Sequence, residues 1–351
     1  MSDNSIVTQL ALLPDSLLPP KKTLTQRDLH TAWQHPEQLP TFVRDCRTAQ
    51  RYLDLLGPLR WSDFPDRNLQ RNWGQPTIPF KALALAELIK LNEGHASIRP
   101  LCTFLEEHPA FIWLLDFPRV PAPQTALGFN ARASLPTQRH FARMLRRLPN
   151  PSCQFLLTDS VQLIFAQLQT LQVECPECIS VDTKHILAWV KENNAKAYVS
   201  DRFNKDRQPK GDPDCRLGCK RRHNRQLPTP TPTRNANPAK TLSIGEYYWG
   251  YGSGVVVTKV PGWCEFVLAE LTQPFDQGDA TYFFPLMTQT EARLGAKPRF
   301  GTFDAAFDAW YVYAYFYREN DPLGGMAAVP FSQKGGYKAK GRQFDPNGLP
   351  L

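Results

Sequence analysis

The chain is poor in several things that would place it quickly. Cysteine is sparse, 8 in 351 residues, too few for a disulfide scaffold, so a reducing cytosol is the expected compartment. No apolar run approaches the ~20 residues that cross a bilayer, so no membrane partner is expected. The first stretch, MSDNSIVTQLALLPDSLLPP, lacks a basic n-region, and Pro14, Asp15 and Pro19 break its apolar part. That argues against a signal peptide. The 7 histidines show no metal-ligand spacing. There is no internal repeat, no Gly-rich phosphate loop and no nucleophile elbow. Gly250-x-Gly252-x-Gly254 reads as a bend within a strand pair, because no helix follows it. No convincing helix-turn-helix is found, because the helices expected near 97–108 and 137–148 are too far apart in sequence for its short turn.

Charge of one sign is also nearly absent, except in one place. Residues 191–240 hold 13 Lys and Arg against 5 Asp and Glu, a net of +8 that equals the net charge of the whole chain. The other 301 residues carry 28 charges of each sign. Basicity confined to one segment points to a polyanionic partner. The apolar share of 42% excludes disorder of the whole chain, and the length suits about two domains.

Hydrophobic spacing divides the sequence near residue 171. Before it, the pattern predicts helices: one through Phe80, Ala84, Leu88 and Leu91, and one over 97–108 with Ser97 as N-cap. Another is expected over 137–148, with Arg139, Arg143, Arg146 and Arg147 on its polar face, and a last one over 153–170. No strand is expected in this half. After it, strands are expected at 178–186, 247–260, 265–271, 299–304 and 326–331, with helices over 280–294 and 307–317. The 247–260 run reads as one long strand or two short ones around the glycines. Strands first and alternation later suit an α+β or α/β mixed sheet of the ribonuclease H-like kind better than a Rossmann order. The expected domains are a helical 1–170 and a catalytic-type 171–351.

Two aspartates stand out. Asp182 interrupts a strand otherwise suited to a core, which is costly unless the carboxylate is paired or binds a cation. Asp304 ends the RFGTFD strand, where α/β sheets present functional groups. On neighbouring strands the two could share Mg²⁺ or Mn²⁺, hard ions that take oxygen ligands. The alternative makes Asp182 an edge-strand residue and Asp304 the N-cap of the following helix.

The stretch SVDTKHILAWVKENNAKAYVSDRFNKDRQPKGDPDCRLGCKRRHN (180–224) resembles the opening of the catalytic domain in a family of bacterial DDE insertion-sequence transposases. GTFDAAFDAWYVY (301–313) resembles the second-aspartate block of that family, and 80–148 more loosely resembles its helical N-terminal domain. The resemblance implies an RNase H-like catalytic domain that cleaves and joins double-stranded DNA by metal-dependent phosphoryl transfer. It implies Asp182 and Asp304 as metal-binding acids, transposon ends and target DNA as partners, a homo-oligomer, and a cytoplasmic, nucleoid-associated location. It also implies a third acid, normally a glutamate after the last core strand. The acids beyond Asp304 are Asp308, Glu319, Asp321 and Asp345, and none fits, so the expectation is a chain truncated before its final helix and impaired in strand transfer. A catalytically inactive DNA-binding remnant is the alternative.

Within the basic segment, Arg202, Lys205, Arg207, Lys210, Lys220, Arg221, Arg222 and Arg225 are the expected DNA-backbone contacts, against a solvated loop with no partner. Cys175, Cys178, Cys215 and Cys219 offer a competing four-thiolate zinc site, which would make the chain a zinc-stabilised nucleic-acid-binding module.

Overall fold

The structure, a computed structural model, describes residues 22–24, 27–69, 76–173, 177–219, 247–318 and 324–331. The chain divides into two compact units, 1–164 and 165–351. The division falls inside a helix, Asn150–Thr170, a few residues before the composition change that suggested it. Taken together the described residues are mixed α+β, and none of their helices is long and apolar enough to cross a membrane.

The first unit is built of short helices: α1 (Leu29–Gln34), α2 (Thr41–Arg44), α3 (Arg47–Leu56), α4 (Phe80–Asn92), α5 (Ile98–Glu107) and α6 (Pro109–Leu114). A two-residue antiparallel ribbon follows, β1 (Val120–Pro121) with β2 (Phe129–Asn130). Then come α7 (Ala131–Ser134), α8 (Gln138–Leu145) and α9 (Asn150–Thr170). The ribbon corrects the expectation that this half holds no strand. α4 buries Ala82, Leu83, Ala84, Leu85, Ala86 and Ile89, more of its circumference than one amphipathic stripe. Ser97 does stand at the N-cap of α5, but its side chain makes no capping bond. At α8 the cap is Thr137, whose hydroxyl accepts from the His140 N–H at 3.3 Å. Buried Asp159 on α9 accepts from the backbone N–H and Nε of Arg60, at 2.7 and 2.5 Å.

The second unit is organised by β5 (Tyr247–Val260), a single unbroken strand of 14 residues. On one edge it pairs antiparallel with β3 (Cys178–Leu187). On the other it pairs antiparallel, end to end, with β4 (Arg216–Cys219) and β6 (Cys264–Pro274). Beyond β3 lie β7 (Phe300–Thr302) and β8 (Met326–Ala328), both parallel to their neighbour. The order across the mixed sheet is therefore β6 and β4, β5, β3, β7, β8. Helices α10 (Phe283–Leu294) and α11 (Trp310–Phe316) fill the chain between β6 and β7 and between β7 and β8. The observed β7, β8 and α11 are shorter than the sequence pattern suggested. A 3-10 turn, Ala305–Phe307, takes the place of the first part of the expected last helix.

The glycines of β5 are not a bend. A Cβ on Gly254 would lie 2.5 Å from Tyr282 Cδ1 and 3.0 Å from Leu286 Cδ1, and one on Gly252 would strike the Tyr282 hydroxyl. Alternate glycines on one face leave a groove for the Tyr282 ring, which is how α10 approaches the sheet. On the same face Phe303 packs between Phe283 and Phe316. Both helices thus pack on one side.

Candidate active site and nucleic-acid interface

The opposite face of the sheet carries the polar groups. Along β3, Ile179 and Val181 are buried while Ser180, Asp182 and Lys184 are exposed, the two-residue alternation of a strand. Ser180 is level with Thr302 of β7, and their hydroxyls are 2.6 Å apart. That bond fixes which face of each strand is which. Asp182 lies two residues beyond Ser180 and Asp304 two beyond Thr302, so both carboxylates belong to this face. The backbone stays extended through Phe303, whose N–H donates to Ala328, and Asp304 itself is extended. The parallel pairing ends at Ser180 and Thr302; carried two residues further, its register would set the two aspartates side by side, about one strand spacing (~4.8 Å) apart.

Each carboxylate is fixed by one oxygen. Asp182 Oδ1 accepts from the Thr183 N–H at 2.8 Å, and Asp304 Oδ1 accepts from the Ala306 N–H at 2.8 Å. The N-cap reading of Asp304 therefore holds, and it is compatible with the other one. Among the described residues the Oδ2 atom of each has no hydrogen-bond partner, and carboxylate oxygens are the hard donors a divalent cation takes.

Two groups on this face were not singled out from the sequence. Lys184 follows Asp182 by one alternation and exposes its ammonium; only its spacing in the strand could have flagged it. Glu270 completes a transverse row, since Asp182 is paired with Val255 and Val255 with Glu270. Its Oε1 accepts from Ser253 at 2.8 Å and Thr272 at 2.6 Å. Glu270 is two strand spacings from Asp182, ~10 Å, too far to share one ion with it. Among the described residues no three His, Cys, Asp or Glu side chains gather where one metal could be held. Asp308, the next acid after Asp304, is not on a helix surface. It ends the 3-10 turn and accepts from the Tyr313 hydroxyl at 2.9 Å. Glu319, Asp321 and Asp345 lie outside the described residues.

The basic segment is more ordered than a solvated loop as far as Cys219. Ala188, Val190, Cys215 and Leu217 bury around Trp249, which is 0% exposed, with Phe203, Tyr247 and Tyr251 against them. Trp249 Nε1 donates to the Arg202 carbonyl at 2.7 Å, and its N–H donates to Asn193 Oδ1 at 2.9 Å. The Tyr251 hydroxyl donates to Asp212 at 2.6 Å; burial raises the pKa of this phenol and keeps it protonated, with Asp212 adding to the effect.

The four expected DNA contacts in this stretch differ. Arg202 spends its guanidinium on the carbonyls of Ala197 and Asn194, at 2.7 and 3.4 Å. Arg207 pairs with Asp201 at 3.6 Å. Lys205 and Lys210 are exposed with no partner among the described residues. Lys220, Arg221, Arg222 and Arg225 lie outside the described residues. On α8 and just after it, Arg139, Arg143, Arg146 and Arg147 are all exposed, with Arg143 2.8 Å from His140 Nδ1.

The four-cysteine zinc site is corrected by register. Cys178 falls beside the Lys259 end of β5 and Cys219 pairs with Tyr247 at the other, a separation on the order of 40 Å at ~3.3 Å per residue. One ion cannot join them. Cys215 is buried and its thiol donates to the Asp212 carbonyl at 3.2 Å. Burial, with Asp212 adding, pushes that thiol up to about 11, away from the thiolate zinc requires. Cys175 lies outside the described residues.

No protein-family model matches the chain, and no curated protein or solved structure matches it.

Proposed function

We propose that this chain is a DNA-cleaving and DNA-joining enzyme of the DDE transposase kind, with Asp182 and Asp304 as paired metal-binding acids. The observation that carries the reading is the Ser180–Thr302 bond, because it puts both aspartates on one face of adjacent parallel strands. The strand order supports an RNase H-like second unit: the antiparallel strands β3, β5 and β6, with the short β4 beside them, come first, and two parallel strands each reached through a helix follow. Mg²⁺ or Mn²⁺ held by Oδ2 of the two aspartates would stabilise charge in in-line phosphoryl transfer. The backbone N–H groups of Thr183 and Ala306 keep those carboxylates from rotating away. Lys184, on the same face, meets a phosphate of the strand being cut. Lys205, Lys210 and the 220–225 cluster hold the DNA backbone, and the exposed arginines of 139–147 supply end recognition, beside contacts between copies in a homo-oligomer. Work on DNA places the protein in the cytoplasm, at the nucleoid.

The test is nicking of supercoiled plasmid in Mg²⁺ or Mn²⁺. Cleavage that disappears in Asp182→Ala supports the reading, and cleavage that survives it refutes the site. A second reading, DNA binding without chemistry, is favoured by the absence of a three-ligand cluster among the described residues. Undiminished DNA binding with no cleavage in any metal would select it.

A further inference from the structure

The described part of the basic segment holds a cleft of about 360 Å³, lined by residues 189–192, 199–202, 207, 208, 210 and 211. Its charged lining is Lys191, Arg202, Arg207 and Lys210 against Glu192 and Asp201, an excess of cations. Arg207 is already paired with Asp201, and Arg202 is committed to carbonyls. Lys191 and Lys210 are exposed with no partner among the described residues.

Trp189 also lines this cleft and is 100% exposed. A single exposed aromatic needs no explanation by itself, but this one is unusually well anchored. Its neighbours Ala188 and Val190 are both buried in the Trp249 core, and the Ala188 N–H donates to the Trp249 carbonyl at 3.0 Å. A second aromatic in the same segment, Tyr198, is 90% exposed. A solvent-facing indole on anchored backbone, beside ammonium groups with no partner among the described residues, is the combination that receives a nucleobase and its phosphates. The cleft has room for a ligand of nucleotide size and none for a duplex. Trp189 follows Asp182 by seven residues of extended chain, a reach of about 23 Å.

We infer that this cleft is a single-strand site: an unpaired DNA strand running from the carboxylate face enters it, one base stacks on Trp189, and Lys191 and Lys210 hold the flanking phosphates. The inference rests on DNA being the partner, but not on cleavage. It is tested on the full chain in EDTA, by fluorescence anisotropy with a blunt duplex and with the same duplex carrying a single-stranded tail of about 6 nucleotides. The intact protein should bind the tailed DNA about tenfold more tightly than the blunt DNA. Trp189→Ala should abolish that preference while leaving blunt-duplex affinity and thermal melting unchanged, and Trp189→Phe should keep part of it. Lys191→Gln with Lys210→Gln should flatten the salt dependence for tailed DNA by about 1.4 in log–log slope. Equal binding of the two DNAs, or a preference that persists in Trp189→Ala, overturns the single-strand site and leaves the DNA reading standing. No binding to either DNA overturns both.

Discussion

Trp249→Ala separates the two halves of the account of the second unit. The indole is wholly buried among Ala188, Val190, Cys215 and Leu217, and removing such a ring costs about 3–5 kcal/mol. Its Nε1 also satisfies the Arg202 carbonyl, and an orphaned carbonyl adds about 1 kcal/mol or more. The bonds that the Ala188 N–H and the Asn193 side-chain Nδ2 donate to the Trp249 carbonyl survive the change. A local loss of about 5 kcal/mol corresponds to a few thousandfold in an opening equilibrium. Hydrogen exchange should therefore quicken over 188–217 by at least about a hundredfold, the limit being the stability of that segment itself. Exchange at Ile179–Val181 should change little, because those residues face α10 and α11 and not Trp249. Trp249→Phe keeps most of the ring and loses the bond, so it should cost only about 1–2 kcal/mol. Uniform loss of protection across the whole sheet, or no change over 188–217, would refute the view that this segment has a small core of its own.

Gly254→Ala should destabilise the protein by about 1–3 kcal/mol in urea melting, because its Cβ meets Tyr282 at 2.5 Å on the well-packed side of the sheet; a neutral result would mean α10 is not held by the glycine groove. Cys215 should resist alkylation at pH 8, where a thiol raised to about 11 is ionised in about one molecule in a thousand, while exposed Cys264 reacts. The same shift has a stability consequence: the unfolded thiol ionises first, near 9.0, so the contribution is full below that pH and is lost as pH climbs toward about 11. Equal labelling of the two cysteines in the native protein would contradict the burial argument. Neutralising Lys220, Arg221, Arg222 and Arg225 should flatten the salt dependence of duplex binding by about 3–4 in log–log slope; an unchanged slope removes them from the interface.

Much of the second unit was legible from local pattern. Alternation marks β3, since Ile179 and Val181 point one way and Ser180 and Asp182 the other. An aspartate at the exit of an apolar run marks Asp304. The rest depends on residues distant in sequence. The Gly250-x-Gly252-x-Gly254 run looks like a bend until the Tyr282 ring, some thirty residues on, is seen to occupy the space beside Gly252 and Gly254. The basic segment reads as solvated because its apolar residues are few, and only Trp249, supplied from β5, turns them into a core. Spacing made the cysteines a plausible set, yet strand register holds them far apart. In the first unit, α1 and α2, at 6 and 4 residues, gave too little periodic signal to be separated from their surroundings, and their stability comes from packing rather than propensity; α3 carries a clear stripe, Ala49, Tyr52, Leu53 and Leu56, that went unread.

Electron paramagnetic resonance of Mn²⁺ titrated into the full chain tests the paired-aspartate claim most directly. The account predicts one population of bound Mn²⁺ that is lost in both Asp182→Asn and Asp304→Asn, and retained in Glu270→Gln, whose carboxylate is two strands from Asp182. Mn²⁺ binding that survives either aspartate substitution, or that depends on only one of them, would contradict it.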